Sequence, residues 1–464
     1  MQINLDPSNI IGFPVKEIDR FQELLDIYSF HIDKNCEKDK YYEGDIPLSS
    51  VNLGIALPDR LSKLEIGCAW GAKAVDVLAA RSMFDGFVGV DGDEVEELRE
   101  IVTKNSLITE YMKGARDELK YGCTFVTLSG DKETGSKIKF HSANTSAAKW
   151  NGEKGRIDCG FAVIDTAPDE KDEDMYVPSK INYYTDEATY VLFRWDGIWY
   201  CRTFPHSMGR PLMVALIWNA TSNKPFGRSR IKEPIRRLID GYVRTIANAA
   251  IGLEFATSPQ KYVLGLTDEQ FEAVTENKFK LYTGSIIAAT TNTDTGEKPE
   301  VGQLPQGSLS PHIEMIRMLA TQFGAATGLP VTETGVVSEA NPTSADAVLA
   351  QTQTLVAMAE QLNAGNGESL RIIALMALAI NNGTNIEGLT DEQRAIVAHF
   401  KNPAMPSVAS TADAAIKIAT AREGFGSTDV FLEMIGFDQA DIRRIKAQEQ
   451  RYRGSQVLEE VIEE

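Results

Sequence analysis

The stretch from Phe226 to Ala350 constrains this chain most, because two helical seams there enclose one irregular insert. Apolar residues at Ile231, Ile235, Leu238, Tyr242, Ile246, Ala249 and Leu253 step by three and four, which marks one helix face. A second seam, Ile313, Ile316, Leu319 and Phe323, opens at Ser310-Pro311, read as a side-chain N-cap with proline in the first turn. It stops at Gly328, with Pro330 just beyond. Between the seams, Thr257 to Leu309 is rich in Gly, Pro, Thr and Asn and carries no comparable stripe. Two helices bearing a small insert at their tips predict a stalk with a head.

The chain has 464 residues, enough for about three domains with sizeable cores. A net charge of −19 argues against static gripping of nucleic acid, since phosphate contacts come from Lys and Arg. The five cysteines (Cys36, Cys68, Cys123, Cys159, Cys201) lack CxxC spacing and read as reduced, buried thiols in a cytosolic setting. Met1-Gln-Ile-Asn-Leu-Asp-Pro has neither a basic start nor an apolar core, so no signal peptide is expected. The longest apolar stretches, Pro211–Trp218 and Ile372–Ile380, are too short to span a bilayer. A soluble intracellular product is expected.

Upstream of the seams, Ile18, Phe21, Leu24, Leu25 and Tyr28 form an amphipathic segment, followed by a turn-rich crossing at Tyr41–Pro47. Gly71 to Ala80 reads as a helix packing through Ala74, Val77 and Leu78. From Gly122 the pattern changes to β-like runs (Cys123–Leu128, Lys137–His141, Cys159–Ile164, Thr189–Arg194, Ile198–Thr203) separated by turn residues, which predicts antiparallel hairpins. Asp165 to Glu187 holds eight acidic residues against two lysines and reads as a solvated loop. Downstream, Asn341-Pro-Thr-Ser344 starts a helix that runs through Ala345, Val348, Leu349, Leu355, Val356, Ala359 and Leu362. Gly365-Asn-Gly367 interrupts it and Leu370–Ile380 resumes it. An alanine-rich helix (Thr411–Ala421), a short one (Asp429–Ile435) and a charged tail from Arg443 to Glu464 follow. No internal repeat is apparent. The fold class is α+β, mixing helices with antiparallel strands.

One segment has the look of an enzyme. Leu64-Glu-Ile-Gly-Cys-Ala-Trp-Gly71, with Phe87-Val-Gly-Val-Asp91 as a second strand, is similar to the first two motifs of methyltransferases that use S-adenosylmethionine. Against it, Lys63 and Glu65 would face into a sheet normally buried on both sides, and hairpins follow where more βα units are needed. The five histidines (His31, His141, His206, His312, His399) sit far apart without metal-ligand spacing. There is no GxxxxGK[ST] loop and no GxSxG elbow, and Asp91-Gly-Asp93-Glu94 reads as a solvated turn. No catalytic residue, cofactor site or metal site is expected.

Charge in the middle block is uneven. Phe226 to Phe255 carries six Lys/Arg against three acidic residues. Ser310 to Ala364 carries Glu314, Glu333, Glu339, Asp346 and Glu360, with Arg317 and no lysine. Either the two helices pair by charge, or the second part is a surface that passes DNA with few salt-sensitive contacts.

Phe226-Gly-Arg-Ser-Arg-Ile231, Thr257-Ser-Pro-Gln-Lys-Tyr-Val-Leu-Gly265, Pro299-Glu-Val-Gly-Gln-Leu-Pro-Gln306, Ser308-Leu-Ser-Pro-His312 and Asn341-Pro-Thr-Ser-Ala-Asp346 resemble, in order, the central block of portal proteins of siphovirus-type tailed double-stranded-DNA phages. Tyr41-Tyr-Glu-Gly44, the Trp70–Ala80 helix, Ile435-Gly-Phe-Asp438 and Arg443-Arg-Ile445 extend the likeness over most of the chain. The resemblance implies a homo-oligomeric ring of about twelve subunits at a capsid vertex, with double-stranded DNA passing through it. It implies a wing (1–225), stem helices (226–256 and 310–330), a clip (257–309), a tunnel loop (331–343), tunnel and wing helices (344–401) and a C-terminal crown (402–464). The clip would dock the terminase large subunit and later the head–tail adaptor. Major capsid and scaffolding proteins would be further partners, with no membrane involved. Assembly would take place in the host cytoplasm. Val336, Val337, Ser338, Glu339, Ala340 and Asn341 would face DNA in the tunnel loop. The family also places a helix at Trp70–Ala80, which makes Gly67 a turn before it. The alternatives are the methyltransferase and another capsid-connector ring without a channel.

Overall fold

A computed structural model describes residues 3–46, 66–89, 95–169, 176–257, 261–264, 300–303, 308–336, 345–404, 408–422, 424–437 and 441–452. It divides into two compact units, Met1–Pro403 and Ala404–Glu464.

The first unit opens with α1 (Val15–Glu43), which buries Phe21, Leu24, Leu25, Tyr28 and Ile32 and ends on left-handed Gly44. Then come α2 (Trp70–Ala79), β1 (Phe84–Val88), α3 (Glu96–Lys104) and α4 (Leu107–Tyr121). The segment expected to pack through Ala74, Val77 and Leu78 buries Ala74, Val75, Leu78 and Ala79, with Val77 at the margin. Both α3 and α4 escape the sequence reading. Yet Leu98 and Ile101, then Leu107, Tyr111, Ala115 and Leu119, lie at helical spacing and are all buried.

Eight strands follow: β2 (Cys123–Ser129), β3 (Lys137–Ser142), β4 (Ser146–Asn151), β5 (Arg156–Pro168), β6 (Tyr176–Tyr184), β7 (Ala188–Trp195), β8 (Ile198–Pro205) and β9 (Met213–Ile217). The antiparallel hairpins expected here are present, as a five-stranded sheet in the order β4-β5-β6-β7-β8 and a three-stranded sheet in the order β3-β2-β9. Strand β6 corrects the reading of Asp165–Glu187 as one loop. The acidic residues lie outside Tyr176–Tyr184, whose one charge is Lys180 and whose Ile181 and Tyr183 are fully buried. Averaging charge across the window hid a strand.

The apolar face of α1 covers one side of the five-stranded sheet, where Phe13, Phe21, Phe161, Tyr183 and Tyr190 stack edge to face and tilted. A second core joins α4, the three-stranded sheet and the later part of a long helix. A third joins α2 to the two seam helices.

Those seams are α5 (Glu233–Thr257) and α6 (Ser310–Thr327), with short paired strands β10 (Lys261–Leu264) and β11 (Glu300–Gln303) between them. Two details differ from expectation. The buried line on α5 is Ile235, Ile239, Val243, Ala247 and Ile251, while Leu238, Tyr242 and Ile246 are half-buried and Leu253 is exposed. Steps of four advance the face by about 40° each, so the line winds around the helix as its partners change. The N-cap of α6 is Leu309, not Ser310, and the Ser310 amide instead donates to Ser308 Oγ at 3.2 Å. Pro311 does sit in the first turn and Gly328 does close the helix, in the left-handed region at φ 71°.

The long helix α7 (Ala345–Asn382) runs unbroken for 38 residues. The expected interruption at Gly365-Asn-Gly367 is absent. Leu355, Ala359, Leu362, Leu370 and Ile373 are all buried, and Asn366 occupies the seam position between them, also fully buried. Glycine costs a helix about 1 kcal/mol, which buried flanks of this kind offset. Strand β12 (Val397–Phe400) closes the unit against β1.

The second unit contains α8 (Val408–Ala421) and α9 (Asp429–Ile435), the latter capped by Thr428, whose Oγ1 accepts from the Phe431 amide. Residues 441–452 are helical, correcting the reading of a plain charged tail from Arg443. Lys446 ties this helix to Asp429 at 2.6 Å.

Candidate functional site

The seam helices are antiparallel. Gly241 on α5 faces Leu319 on α6, and eleven residues further on Gly252 faces back toward Leu309. Trp70 of α2 is wedged between them. Its ring lies 4.5 Å from Tyr242 of α5 and 4.9 Å from Phe323 of α6, and its Nε1 donates to the Thr334 carbonyl at 3.2 Å. One buried indole thus fixes both helices and the segment that follows them.

Arg230 makes the second tie. It precedes α5 within Phe226-Gly-Arg-Ser-Arg-Ile231 and is nine-tenths buried. Its guanidinium donates to the carbonyl of Ala74 on α2, to the Thr327 carbonyl at 2.6 Å and to Met358 Sδ on α7 at 3.6 Å, beside the Trp218 ring. Burial lowers its pKa to about 10. Helix α6 has no basic residue in its last turn. Arg230 therefore supplies, from outside, the cation that the partial negative charge of that helix end favours.

The turn after α6 is short and held. Val331–Thr334 form one turn of 3-10 helix, Thr334 Oγ1 donates to the Val331 carbonyl at 2.6 Å, and Glu333 pairs with Lys73 at 3.2 Å. Val336 packs half-buried against the seam core. Val337, Ser338, Glu339, Ala340 and Asn341, the other expected tunnel-loop residues, lie outside the described residues, as does Thr343.

The basic residues of α5 do not meet the acidic ones of α6. Arg236 pairs with Glu37 at 2.9 Å and Arg237 with Glu233, and among the described residues no ion pair joins the two helices. Toward the outer end of the pair Ile313, a residue of the expected second seam, is 51% exposed and Leu253 50%, and midway along α6 Met318 is 47% exposed.

Glycine placement explains the methyltransferase look. A Cβ on Gly71 would collide with the Tyr41 carbonyl, so the glycine permits the start of α2 to cross the end of α1. Phe87 and Val88, which open the supposed second strand Phe87–Asp91, instead end β1, which pairs antiparallel with Val397–Phe400 in a two-stranded sheet and not in a nucleotide-binding βαβ unit; Val90 and Asp91 lie outside the described residues. Leu64 and Glu65 lie outside the described residues. Among the described residues no group of His, Cys, Asp or Glu could hold a metal ion, and no helix is long and apolar enough to cross a membrane.

Sequence reasoning missed Trp70, Arg230 and Asn366 as organising residues. Asn366 was within reach: it continues the buried spacing Leu355, Ala359, Leu362 into Leu370. Arg230 carried no such signal, because an arginine beside a helix start ordinarily reads as surface.

Comparison with known proteins supplies the remaining observation. A chain named portal protein from Mycobacterium phage D29 is 23% identical over 385 residues, covering 82% of this chain and 77% of that protein. The portal protein of Mycobacterium phage L5 is 24% identical over 377 residues, covering 79% and 75%. Among solved structures, a chain from the neck of a native gene transfer agent particle computed with C12 symmetry is similar at 12% identity, with a TM-score of 0.44 and coverage of 79% and 89%. The family described as "Phage portal protein, SPP1 Gp6-like" matches residues 23–455. With nearly the whole chain matched, this protein belongs to the SPP1 Gp6-like family of phage portal proteins.

Proposed function

We propose that copies of this chain close into a ring of about twelve at one capsid vertex, forming the channel through which phage DNA enters the head and later leaves it. The α5–α6 pair forms the stem of that ring. Residues 257–309 form the clip, which meets the terminase large subunit during packaging and the head–tail adaptor afterwards. Residues 331–343 line the tunnel, and 402–464 form the crown. Major capsid and scaffolding proteins meet the wing. The finished protein resides in the virion, after assembly in the host cytoplasm.

Family membership over residues 23–455 carries this reading. The exposed apolar side chains of the α5–α6 pair support it, because Leu253, Ile313 and Met318 lack a cover among the described residues. Negative-stain microscopy of the purified protein tests it: rings with a central hole are expected, and a uniformly monomeric field at micromolar concentration would overturn it.

A further inference from the structure

One end of the five-stranded sheet gathers an unusual set of side chains. The β4–β5 turn brings Lys154 and Arg156, the β6–β7 turn brings Asp186, and the segment after β8 brings His206 and Arg210. Asp186 Oδ2 lies 2.9 Å from Lys154 Nζ and 4.0 Å from Arg156 Nη2, which also donates to the Gly209 carbonyl at 2.8 Å. Two cations thus share one carboxylate with Arg210 nearby, in a chain whose net charge is −19.

Hydrogen bonding at this end is incomplete. Arg156 Nε and Arg210 Nε are buried donors without a partner, Asp186 Oδ1 is a buried acceptor without one, and the His206 ring beside them lies against the Thr185 backbone. Among the described residues no other cluster collects so many orphaned polar atoms. Buried polar groups in folded proteins are ordinarily satisfied, so a group of them in one place calls for a missing partner. Burial and the neighbouring Arg156 lower the Arg210 pKa to about 10, the expected cost of packing like charges together. The Arg156 side chain remains 28% exposed, so the cluster opens to solvent.

We propose that this end of the sheet binds a phosphate-type oxyanion, with Arg156 and Arg210 as charged donors. Guanidinium groups suit this ligand because their planar forks match its oxygens. Phosphate chemistry here has two sources, the free ion or the backbone of a nucleic acid. The site stands on the wing residues alone and does not depend on ring formation.

The test titrates the full-length protein with inorganic phosphate at constant ionic strength, balanced with sodium chloride, and reads calorimetric binding and the melting temperature. Saturable binding is expected for phosphate, weakened about tenfold or more in Arg210→Gln and in Arg156→Gln. Arg210→Lys, which keeps the charge, should retain part of the affinity and guards against a misfolded glutamine variant. Circular dichroism and gel filtration establish the fold of each variant first. A short DNA duplex that displaces phosphate assigns a backbone phosphate, and one that does not assigns the free ion. A wild-type response equal to that of chloride, or folded glutamine variants that bind like the wild type, would overturn the proposal.

Discussion

Glu118 and Asn366 illustrate what a single buried contact can decide. Both side chains are fully buried, and Asn366 Nδ2 donates to Glu118 Oε2 at 2.7 Å and to the Tyr111 hydroxyl at 3.0 Å. Ser82 extends the network from Tyr111 to Asn363, at 2.6 Å on each side. Burial raises the Glu118 pKa from 4.5 to about 8, and the Asn366 hydrogen bond opposes this only in part. The ionisable groups facing it are Tyr111 and Cys123, both pushed up by burial, and neither supplies a positive charge. The folded state therefore holds a proton that the unfolded state has lost above pH 4.5. Stability from this site is full below that value and falls by about 1 kcal/mol per pH unit until about pH 8. Glu118→Gln should remove that slope, so chemical denaturation at pH 5, 7 and 9 should show the variant gaining on the wild type as pH rises. Parallel curves would refute it. At Arg230, replacement by Met leaves the Ala74 and Thr327 carbonyls without their donor, and a loss of about 2–3 kcal/mol is expected by denaturant titration. Lysine should restore little, because a point charge does not bridge two carbonyls as a fork does.

Among the elements, the α5–α6 pair and the residues proposed to line the tunnel beyond it bear most directly on function. The pair was legible in its sequence, since seam spacing and the Gly328-Leu-Pro330 stop both have direct physical causes. What was not legible was which face is buried. Apolar spacing fits both the Leu238–Leu253 line and the Ile239–Ile251 line, and the choice between them depends on Trp70, Leu319 and Phe323 arriving from other elements. Strand β6 and the unbroken α7 were missed for the same reason, because their glycines, prolines and neighbouring charges are overruled by tertiary burial. Ser338 and Glu339, proposed above to line the tunnel, carry no positive charge. Ser338→Lys with Glu339→Lys should slow DNA packaging in vitro and steepen its salt dependence. Packaging rates that match the wild type across a salt series would count against a DNA-facing loop.

For the whole molecule, assembly and docking should separate. Leu253→Asp with Ile313→Asp places charge on the exposed apolar end of the pair, and gel filtration should then show monomers that keep native circular dichroism. Replacing residues 258–308 with a short Gly/Ser linker should leave rings intact while abolishing terminase binding in pull-down. Rings that still capture the motor would remove the clip assignment. Among the described residues helix α7 is the longest element. At 1.5 Å per residue its 38 residues make a rod of roughly 57 Å. Asn366, locked to Glu118 and Tyr111, ties it near its middle. Through Leu355, Ala359 and Leu362 on one side of that tie and Leu370 to Ile380 on the other, one rod joins the seam core to the core beside the three-stranded sheet.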